Sequence, residues 1–192
     1  MAEPAPTPTV LLPEAEVARV VAELAQRIAP VIDDETVAAV LLTGGAEQSR
    51  DLPVPVVVKE VGAGLSGPVV ARLAAEGVGV FDVAGSGGTD WAKVEAARAP
   101  DPAAARVAAC FAGWGIPTAE AIRGARQAAP DATIIGSGGI VDGLDAARAI
   151  RLGADVVSLA GAVLASAIDG PDALLGQLDI VLRQLRTACF CT

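Results

Sequence analysis

The most restrictive feature of this sequence is a regular alternation of apolar and amphipathic runs from residue 54 onward. Apolar runs of about four to six residues, typical of buried strands, alternate with runs of about ten or more residues that have helical periodicity. This alternation favours right-handed β-α-β units and a parallel sheet covered by helices. The predicted elements are strands at 54–59, 78–83, 132–136 and 155–159, and helices at 67–76, 117–129, 142–152 and 171–187.

The segments outside this alternation are less regular. Residues 84–116 are rich in Gly and Ala, and we assign no helix or strand to them. Residues 1–8 are rich in proline, and we expect them to be disordered or extended. Residues 13–29 carry an apolar stripe that predicts a helix, with candidate strands before and after it at 9–12 and 36–42.

Composition limits both the core and the partners of the protein. Hydrophobic residues make up 53% of the chain and aromatic residues 3%, so we expect an aliphatic core under a helix-covered parallel sheet. The net charge is -9, and no basic stripe is present, which argues against nucleic acid as a partner. The apolar runs are short and interrupted by charges, so we predict no membrane span.

The residue types that are absent limit the chemistry. The chain has no His and no Tyr, so side-chain proton transfer is restricted to Asp, Glu, Lys and Cys. Three cysteines without a secretory signal fit a reducing environment, and we predict a cytoplasmic protein. We interpret Cys189 and Cys191 as a free thiol pair near the C-terminus rather than as a metal or redox site.

Ligands of α/β folds bind where strands end, so the residues that follow each predicted strand are the first site candidates. Lys59 ends the first of these strands, and its compact ammonium can approach a phosphate. The alternative for Lys59 is a surface ion pair with Glu60. The glycine-rich run from Gly85 to Thr89 follows the next strand and would allow a ligand to approach the backbone closely, although a flexible loop is the alternative.

Two later turns predict a phosphate site. Gly138 and Gly139 lie between a strand and a helix that begins near Asp142, an arrangement that binds phosphate through backbone N–H groups and the helix dipole. Ala160 and Gly161 follow the next strand, where small residues would leave room for the same phosphate. Tight packing of a helix on a strand would also explain these small residues, but we favour a shared phosphate site.

Five stretches from residue 53 onward, together with the last residues of the chain, resemble one known family. They are PVPVVVKEVGAGLS, VFDVAGSGGTDWAKVEAAR, FAGWGIPTAEAI, IIGSGGIVDGLDAARAIRLGAD, SLAGAVLASA and the C-terminal LRTACFCT. In order and spacing this set resembles the type 2, FMN-dependent isopentenyl-diphosphate isomerases from about residue 53 to the end. The resemblance implies a (β/α)₈ barrel that uses reduced FMN, Mg²⁺ and NAD(P)H to interconvert isopentenyl and dimethylallyl diphosphate.

The same resemblance implies roles for particular residues. The implied FMN-binding residues are Lys59, Thr89, Gly138, Gly139, Ile140, Val141, Ala160 and Gly161. The family also carries a Gln-Glu pair, in which Gln is catalytic and Glu binds Mg²⁺. The nearest match here is Glu47-Gln48 in reversed order, which assigns a catalytic role to Gln48 and a metal-binding role to Glu47.

The sequence also departs from the family. A complete barrel needs about 250 residues, and the N-terminal part of the family pattern, with its diphosphate-binding histidine, has no counterpart here. Ser86 stands where the family has Arg, and Ala84 stands where it has Ser. We therefore expect residues 9–192 to form a single contracted or incomplete TIM-barrel-like domain of about six β/α units, whose open sheet edges favour a homo- or hetero-oligomer.

Three functions remain open from the sequence. The first is an FMN-dependent isomerase that acts on a prenyl diphosphate. The second is a non-catalytic partner or structural subunit that descends from the same family. The third is a repurposed prenyl-diphosphate enzyme of terpenoid metabolism, for which Asp82, Asp90, Glu47 and Glu60 are candidate Mg²⁺ ligands, although Asp90 also suits a helix cap and Asp82 a strand-end polar residue.

Overall fold

The computed structural model of the chain describes residues 57–191. Four parallel strands form one sheet in the order β1-β2-β3-β4. Their bounds are Val57–Lys59 for β1, Val80–Asp82 for β2, Thr133–Gly136 for β3 and Val156–Val157 for β4. Because the spatial order follows the chain order, each strand pairs with the next one along the chain. The predicted parallel α/β architecture is thereby confirmed.

The helices lie in the connections between these strands and after the last strand. They are α1 (Gly67–Ala75), α2 (Trp91–Arg98), α3 (Pro102–Ala109), α4 (Thr118–Ala128), α5 (Gly143–Arg151), α6 (Gly161–Asp169) and α7 (Pro171–Cys191). The predictions for α1, α4 and α5 are confirmed to within one residue at each end, and α7 runs on beyond its predicted end at residue 187. No helix in this part of the chain is long and apolar enough to cross a membrane.

The segment 84–116, to which we assigned no helix or strand from the sequence, contains two helices. It holds α2 and α3, which pack against one another. Each begins at an aspartate: Asp90 accepts a hydrogen bond from the Lys93 amide at 3.2 Å, and Asp101 accepts one from the Ala103 amide at 2.8 Å. Neither helix buries a residue, so neither contributes to the hydrophobic core.

The hydrophobic core lies between the sheet and helices α1, α4 and α5. Its fully buried members include Phe81 and Ile134 from neighbouring strands, and Val70 and Ile122 from α1 and α4. Alanines of α4 and α5 fill the remaining space, which lets these helices approach the sheet closely. An aliphatic core was expected from the composition, and Phe81 is the one aromatic side chain in this buried cluster of residues 57–191.

Several predictions concern residues outside the described part of the chain. These are the Pro-rich residues 1–8, the candidate strands 9–12 and 36–42, the candidate helix 13–29, and the site residues Glu47 and Gln48. They stay predictions, and so does the expected number of six β/α units.

Candidate functional site

The carboxyl ends of the four strands lie along one edge of the sheet, which we call the strand-end edge. Lys59 ends β1 and is aligned with Asp82, which ends β2. Gly136 ends β3 and is aligned with Val157, which ends β4. Adjacent strands lie about 4.8 Å apart, so the loops that leave them are neighbours. Most of the site residues predicted from the sequence belong to these loops.

Lys59 forms its ion pair with Asp82 and not with Glu60. The Lys59 Nζ lies 3.1 Å from Asp82 Oδ2, with the lysine side chain 36% exposed and the aspartate side chain 8% exposed. Glu60 is engaged elsewhere, because its Oε2 accepts hydrogen bonds of 2.5 to 2.9 Å from the three backbone amides of residues 62–64. The surface Lys59–Glu60 pair that we considered from the sequence is therefore not formed.

Asp82 is also held from its other side. Its Oδ1 accepts hydrogen bonds from the Ser137 hydroxyl and, at 3.3 Å, from the Ala84 amide. The Ser137 hydroxyl oxygen in turn accepts a hydrogen bond of 3.1 Å from the Ala84 amide. Sequence reasoning missed Ser137, because it lies 55 positions from Asp82 and no local pattern connects the two residues. Its only signal was a serine directly after a buried strand.

The two glycine-rich loops after β2 and β3 pack directly against each other. A Cβ added at Gly87 would lie 2.7 Å from the Gly138 carbonyl oxygen, and one at Gly139 would lie 2.0 Å from the Gly87 carbonyl oxygen. The glycines thus allow backbone to meet backbone. At Gly87 the nearest neighbour of the loop after β2 is the loop after β3, and the expected close approach of a ligand to this loop stays a prediction.

The remaining residues of the loop after β2 are more exposed. Thr89 is exposed at its end, and its carbonyl oxygen lies against Gly62 in the loop after β1. The indole N–H of Trp91 donates a hydrogen bond of 2.9 Å to the Val61 carbonyl. The structure therefore places Thr89 beside the loop that follows Lys59, as expected if both residues serve one site.

Two turns on the strand-end edge present backbone amides that find no acceptor within residues 57–191. The first turn contributes the amides of Gly138, Gly139 and Ile140, and the second contributes those of Ala160, Gly161 and Ala162. Gly139, Ala160 and Gly161 are exposed, whereas the Ile140 side chain is buried in the core. Ile140 can thus serve a ligand only through its backbone. Backbone N–H groups without acceptors at the ends of neighbouring strands favour the binding of an anion.

The start of α5 contributes less than the sequence suggested. Asp142 accepts hydrogen bonds from the Leu144 and Asp145 amides at 2.9 and 2.8 Å, and Gln184 accepts one from the Gly143 amide at 2.9 Å. The first helical N–H groups are therefore occupied by side chains of the protein. The free donors belong to the turn before α5, and the exposed Val141 lies between that turn and the helix.

Asp90 is a helix cap, which was one of its two interpretations from the sequence. Besides capping α2, its Oδ2 accepts a hydrogen bond of 2.8 Å from the Gly113 amide and lies 3.4 Å from Lys93 Nζ. The Gly113 hydrogen bond and, to a lesser degree, the amide and ammonium of Lys93 lower the pKa of Asp90 below its usual range. The carboxylate thus ties the start of α2 to the end of the α2–α3 segment.

Two cavities lie beside these loops. One of about 270 Å³ opens between α4 and α5 and is lined by Thr118, Gly138, Gly139, Ile140 and Arg148, among others. The other, of about 180 Å³, lies beside the loop after β1 and is lined by Val61, Asp90, Trp91, Phe111 and Trp114, among others. The first cavity is lined by α4, α5 and the glycine-containing loops after β2 and β3. The amides of the turn before α6 do not line it.

Metal binding has no support from the described side chains. Within residues 57–191 no three Cys, Asp or Glu side chains are grouped so that they could hold a metal ion. Asp82 is paired with Lys59, Glu60 holds backbone amides and Asp90 caps a helix. The three described candidates for Mg²⁺ ligands thus have structural partners, and the fourth, Glu47, lies outside this region.

Several curated proteins similar to this chain share a name. A protein of Stutzerimonas stutzeri named isopentenyl-diphosphate delta-isomerase is 54% identical over 141 residues, which are 73% of this chain and 41% of that protein. Proteins of the same name from Cronobacter sakazakii and a Nostoc species are 55% and 48% identical over 141 residues, with 41% and 40% of those proteins covered. No protein-family model matches the chain.

Solved structures with a similar fold include TIM-barrel enzymes. A mandelate oxidase crystallised with (S)-4-hydroxymandelic acid superposes with a TM-score of 0.53 at 22% identity, over 74% of this chain and 34% of the oxidase. GMP reductase from Trypanosoma brucei in complex with guanosine 5'-triphosphate gives a TM-score of 0.55 at 19% identity, over 92% and 39%. At these identities the likeness concerns the fold, and it supports a partial barrel.

The comparisons correct the family assignment that we made from the sequence. The similar curated proteins are named isopentenyl-diphosphate delta-isomerase, and that name specifies neither a type nor a flavin. The chain also spans only about 41% of their length. The assignment to the FMN-dependent type 2 family is therefore wrong as stated, and the supported relationship is to isopentenyl-diphosphate delta-isomerases without a specified type.

Proposed function

We propose that this protein takes part in isoprenoid metabolism as an isopentenyl-diphosphate isomerase. The proposal is supported by the 54% identity to a protein of that name across 73% of the chain. The reaction moves a double bond: a proton is added to the terminal alkene carbon, and another is removed from the methylene group on the far side of the branched carbon. Both the substrate and the product carry a diphosphate, so the site must bind an anion.

The observation that carries the proposal is the pair of amide-bearing turns at the ends of β3 and β4. They offer six N–H groups without acceptors in residues 57–191, on the loops that follow two paired strands. We infer that these turns hold the phosphate of a bound FMN. The net charge of -9 opposes anion binding at long range, so a local cluster of donors is needed to overcome it.

In this proposal the strand-end edge would contact FMN at its phosphate and at a second place on the flavin. Gly138 and Gly139, with Ile140 through its backbone, and Ala160 with Gly161 would contact the phosphate. Lys59 would contact the remainder of the flavin from the end of β1, with Thr89 on the neighbouring loop. Bound FMN would supply a proton-transferring ring to a chain that has no His and no Tyr.

The other components of the proposal rest on the sequence. Mg²⁺ would be bound by Glu47 together with the substrate diphosphate, since Mg²⁺ commonly combines one or two carboxylates with phosphate oxygens. Gln48 would act at the substrate, and NAD(P)H would keep the flavin reduced. A cytoplasmic location and a homo- or hetero-oligomer remain predictions of the same kind.

A matched pair of substitutions at Gly161 tests the phosphate site. Nothing lies within 4 Å of a Cβ added at Gly161, so a side chain is tolerated there. Gly161→Asp places a carboxylate at the start of α6, which favours the helix but repels a phosphate. We expect FMN binding to weaken by about ten-fold or more, as for like charges about 5 Å apart near a protein surface. Gly161→Asn, similar in size but uncharged, serves as the control.

The measurement is a titration of the full-length protein with FMN, followed by flavin fluorescence, together with conversion of isopentenyl diphosphate in the presence of reduced FMN and Mg²⁺. Gly161→Asp should lose affinity and turnover, whereas Gly161→Asn should stay within about three-fold of the wild type. Equal affinity of the two variants for FMN would show that this turn does not bind the phosphate.

A second candidate function is favoured by two residues in the loop after β2. Ser86 and Ala84 stand there in place of the Arg and Ser of the family pattern that the sequence resembles. A non-catalytic partner subunit would bind FMN or prenyl diphosphate without turnover. Turnover by the protein alone, in the assay described above, excludes this candidate.

A further inference from the structure

Two polar side chains are buried among the residues that the structure describes, and they touch one another. Asp82 is 6% exposed and Ser137 is 5% exposed. The surrounding core is aliphatic apart from Phe81. Burying a carboxylate costs several kcal/mol unless it is paired and hydrogen-bonded. Replacing a buried ion pair by apolar side chains of similar volume is often neutral or stabilising. Stability alone therefore does not account for an aspartate at position 82.

Both carboxylate oxygens of Asp82 are committed to fixed partners. Oδ2 lies 3.1 Å from the Lys59 ammonium, while Oδ1 accepts hydrogen bonds from the Ser137 hydroxyl and the Ala84 amide. The partners lie at or just beyond the ends of β1, β2 and β3, so the network crosses three neighbouring strands. The orientation of the carboxylate is therefore set by the sheet itself.

Lys59 depends on Asp82 for its position. Its sequence neighbour Glu60 holds the amides of residues 62–64, and Asp82 is the one ion-pair partner that Lys59 has within residues 57–191. A lysine ammonium has three donors, and Lys59 is still 36% exposed. One donor is thus engaged by the aspartate, and the others are open to a ligand at the strand-end edge.

We propose that Asp82, oriented by Ser137, is a positioning residue that fixes the Lys59 ammonium for an anionic ligand at this edge. The proposal deepens the proposed function and rests on it, with FMN as the ligand. Asp82 does not touch the ligand, and its own charge opposes an anion. Its contribution is to hold a flexible lysine side chain in one place, which reduces the conformational entropy lost when the ligand binds.

The first test observes Lys59 without any ligand. The chain has two lysines, Lys59 and Lys93, so acetylation by an activated ester can be followed at each by mass spectrometry. In Asp82→Asn we expect Lys59 to be acetylated about five-fold faster or more, while the exposed Lys93 serves as an internal reference. Asp179→Asn is the matched control, because it makes the same charge change and removes an exposed ion pair with Arg183 on α7.

The second test asks whether Asp82 acts through Lys59 on ligand binding. Asp82→Asn should weaken binding of FMN by about ten-fold in the wild-type background, but by less than about two-fold in the Lys59→Met background. Ser137→Ala, which leaves the ion pair in place, should produce a smaller loss in the same direction and so covers the case in which Asp82→Asn fails to fold. The absorption spectrum of bound FMN provides a readout that a purely structural role would not change.

The outcomes separate the two proposals. An unchanged acetylation rate of Lys59 in both Asp82→Asn and Ser137→Ala overturns the positioning role, and so do additive losses of FMN affinity in the double variant. If the wild-type protein binds no FMN, the proposed flavin site fails, and the acetylation rates still decide whether Asp82 fixes Lys59.

Discussion

Gly139 and Gly161 are both glycines on the strand-end edge, but they are constrained for different reasons. Gly139 has φ +78°, and a Cβ there would lie 2.0 Å from the Gly87 carbonyl oxygen. Gly161 begins α6 with open space around its Cα. The two positions look alike in the sequence, since each follows a small residue after a strand. Only the packing of the loop after β2 on the loop after β3 distinguishes them.

This difference predicts different costs for the same substitution. Gly139→Ala should lower the free energy of unfolding by about 2 kcal/mol or more, since it combines backbone strain with a clash against backbone. Gly161→Ala should change it by no more than about 1 kcal/mol, and in the stabilising direction. Urea denaturation of the two variants measures both values. Equal destabilisation at the two sites would show that the loops do not pack as described.

At the level of residues, the sequence predicted the position of Lys59 at a strand end but not the side chains that hold it. Lys59 was placed at a strand end from its position after an apolar run, and the structure agrees. Its partner was not predictable, because Asp82 and Ser137 reach it through the register of three strands. Ile140 was assigned to cofactor binding, yet its side chain is buried in the core.

At the level of elements, periodicity predicted the helices that cover the core and missed α2, α3 and α6. Apolar periodicity indicates a helix with one buried face, and these three helices bury no residue. The capping aspartates of α2 and α3 and their alanine-rich sequence were the available signals. Asp90 has the larger role, because it binds the distant Gly113 amide as well as the first turn of α2, whereas Asp101 binds amides of the first turn of α3.

The pH dependence of this segment follows from Asp90. Because its pKa is lowered from the unfolded value of about 3.9, mainly by the Gly113 hydrogen bond, its stabilisation is present above that value and is lost as the pH falls through the folded pKa. We expect the NMR shift of the Gly113 amide to titrate with a midpoint below about 3.9. Asp90→Asn should abolish this titration, and a midpoint at or above the ordinary value would contradict the cap.

At the level of the whole molecule, the described part is a segment of a parallel β/α fold with open sides. Four strands form the sheet, and β4 has two residues, of which Val156 is 49% exposed. Exposed apolar side chains on α6 and α7 include Leu164, Ile168, Ile180 and Phe190. The parallel sheet followed from the alternation in the sequence, whereas the extent of the barrel did not, because periodicity identifies units but not closure.

The central claim is that amides at the ends of β3 and β4 bind the phosphate of a flavin. The most direct measurement compares the affinities of the full-length protein for FMN and for riboflavin, which lacks the phosphate, under the same salt conditions. A site built on the six amides predicts that FMN binds at least about ten-fold more tightly, with the difference shrinking as salt is raised. Equal affinity for the two flavins, or no binding of either, would contradict the claim.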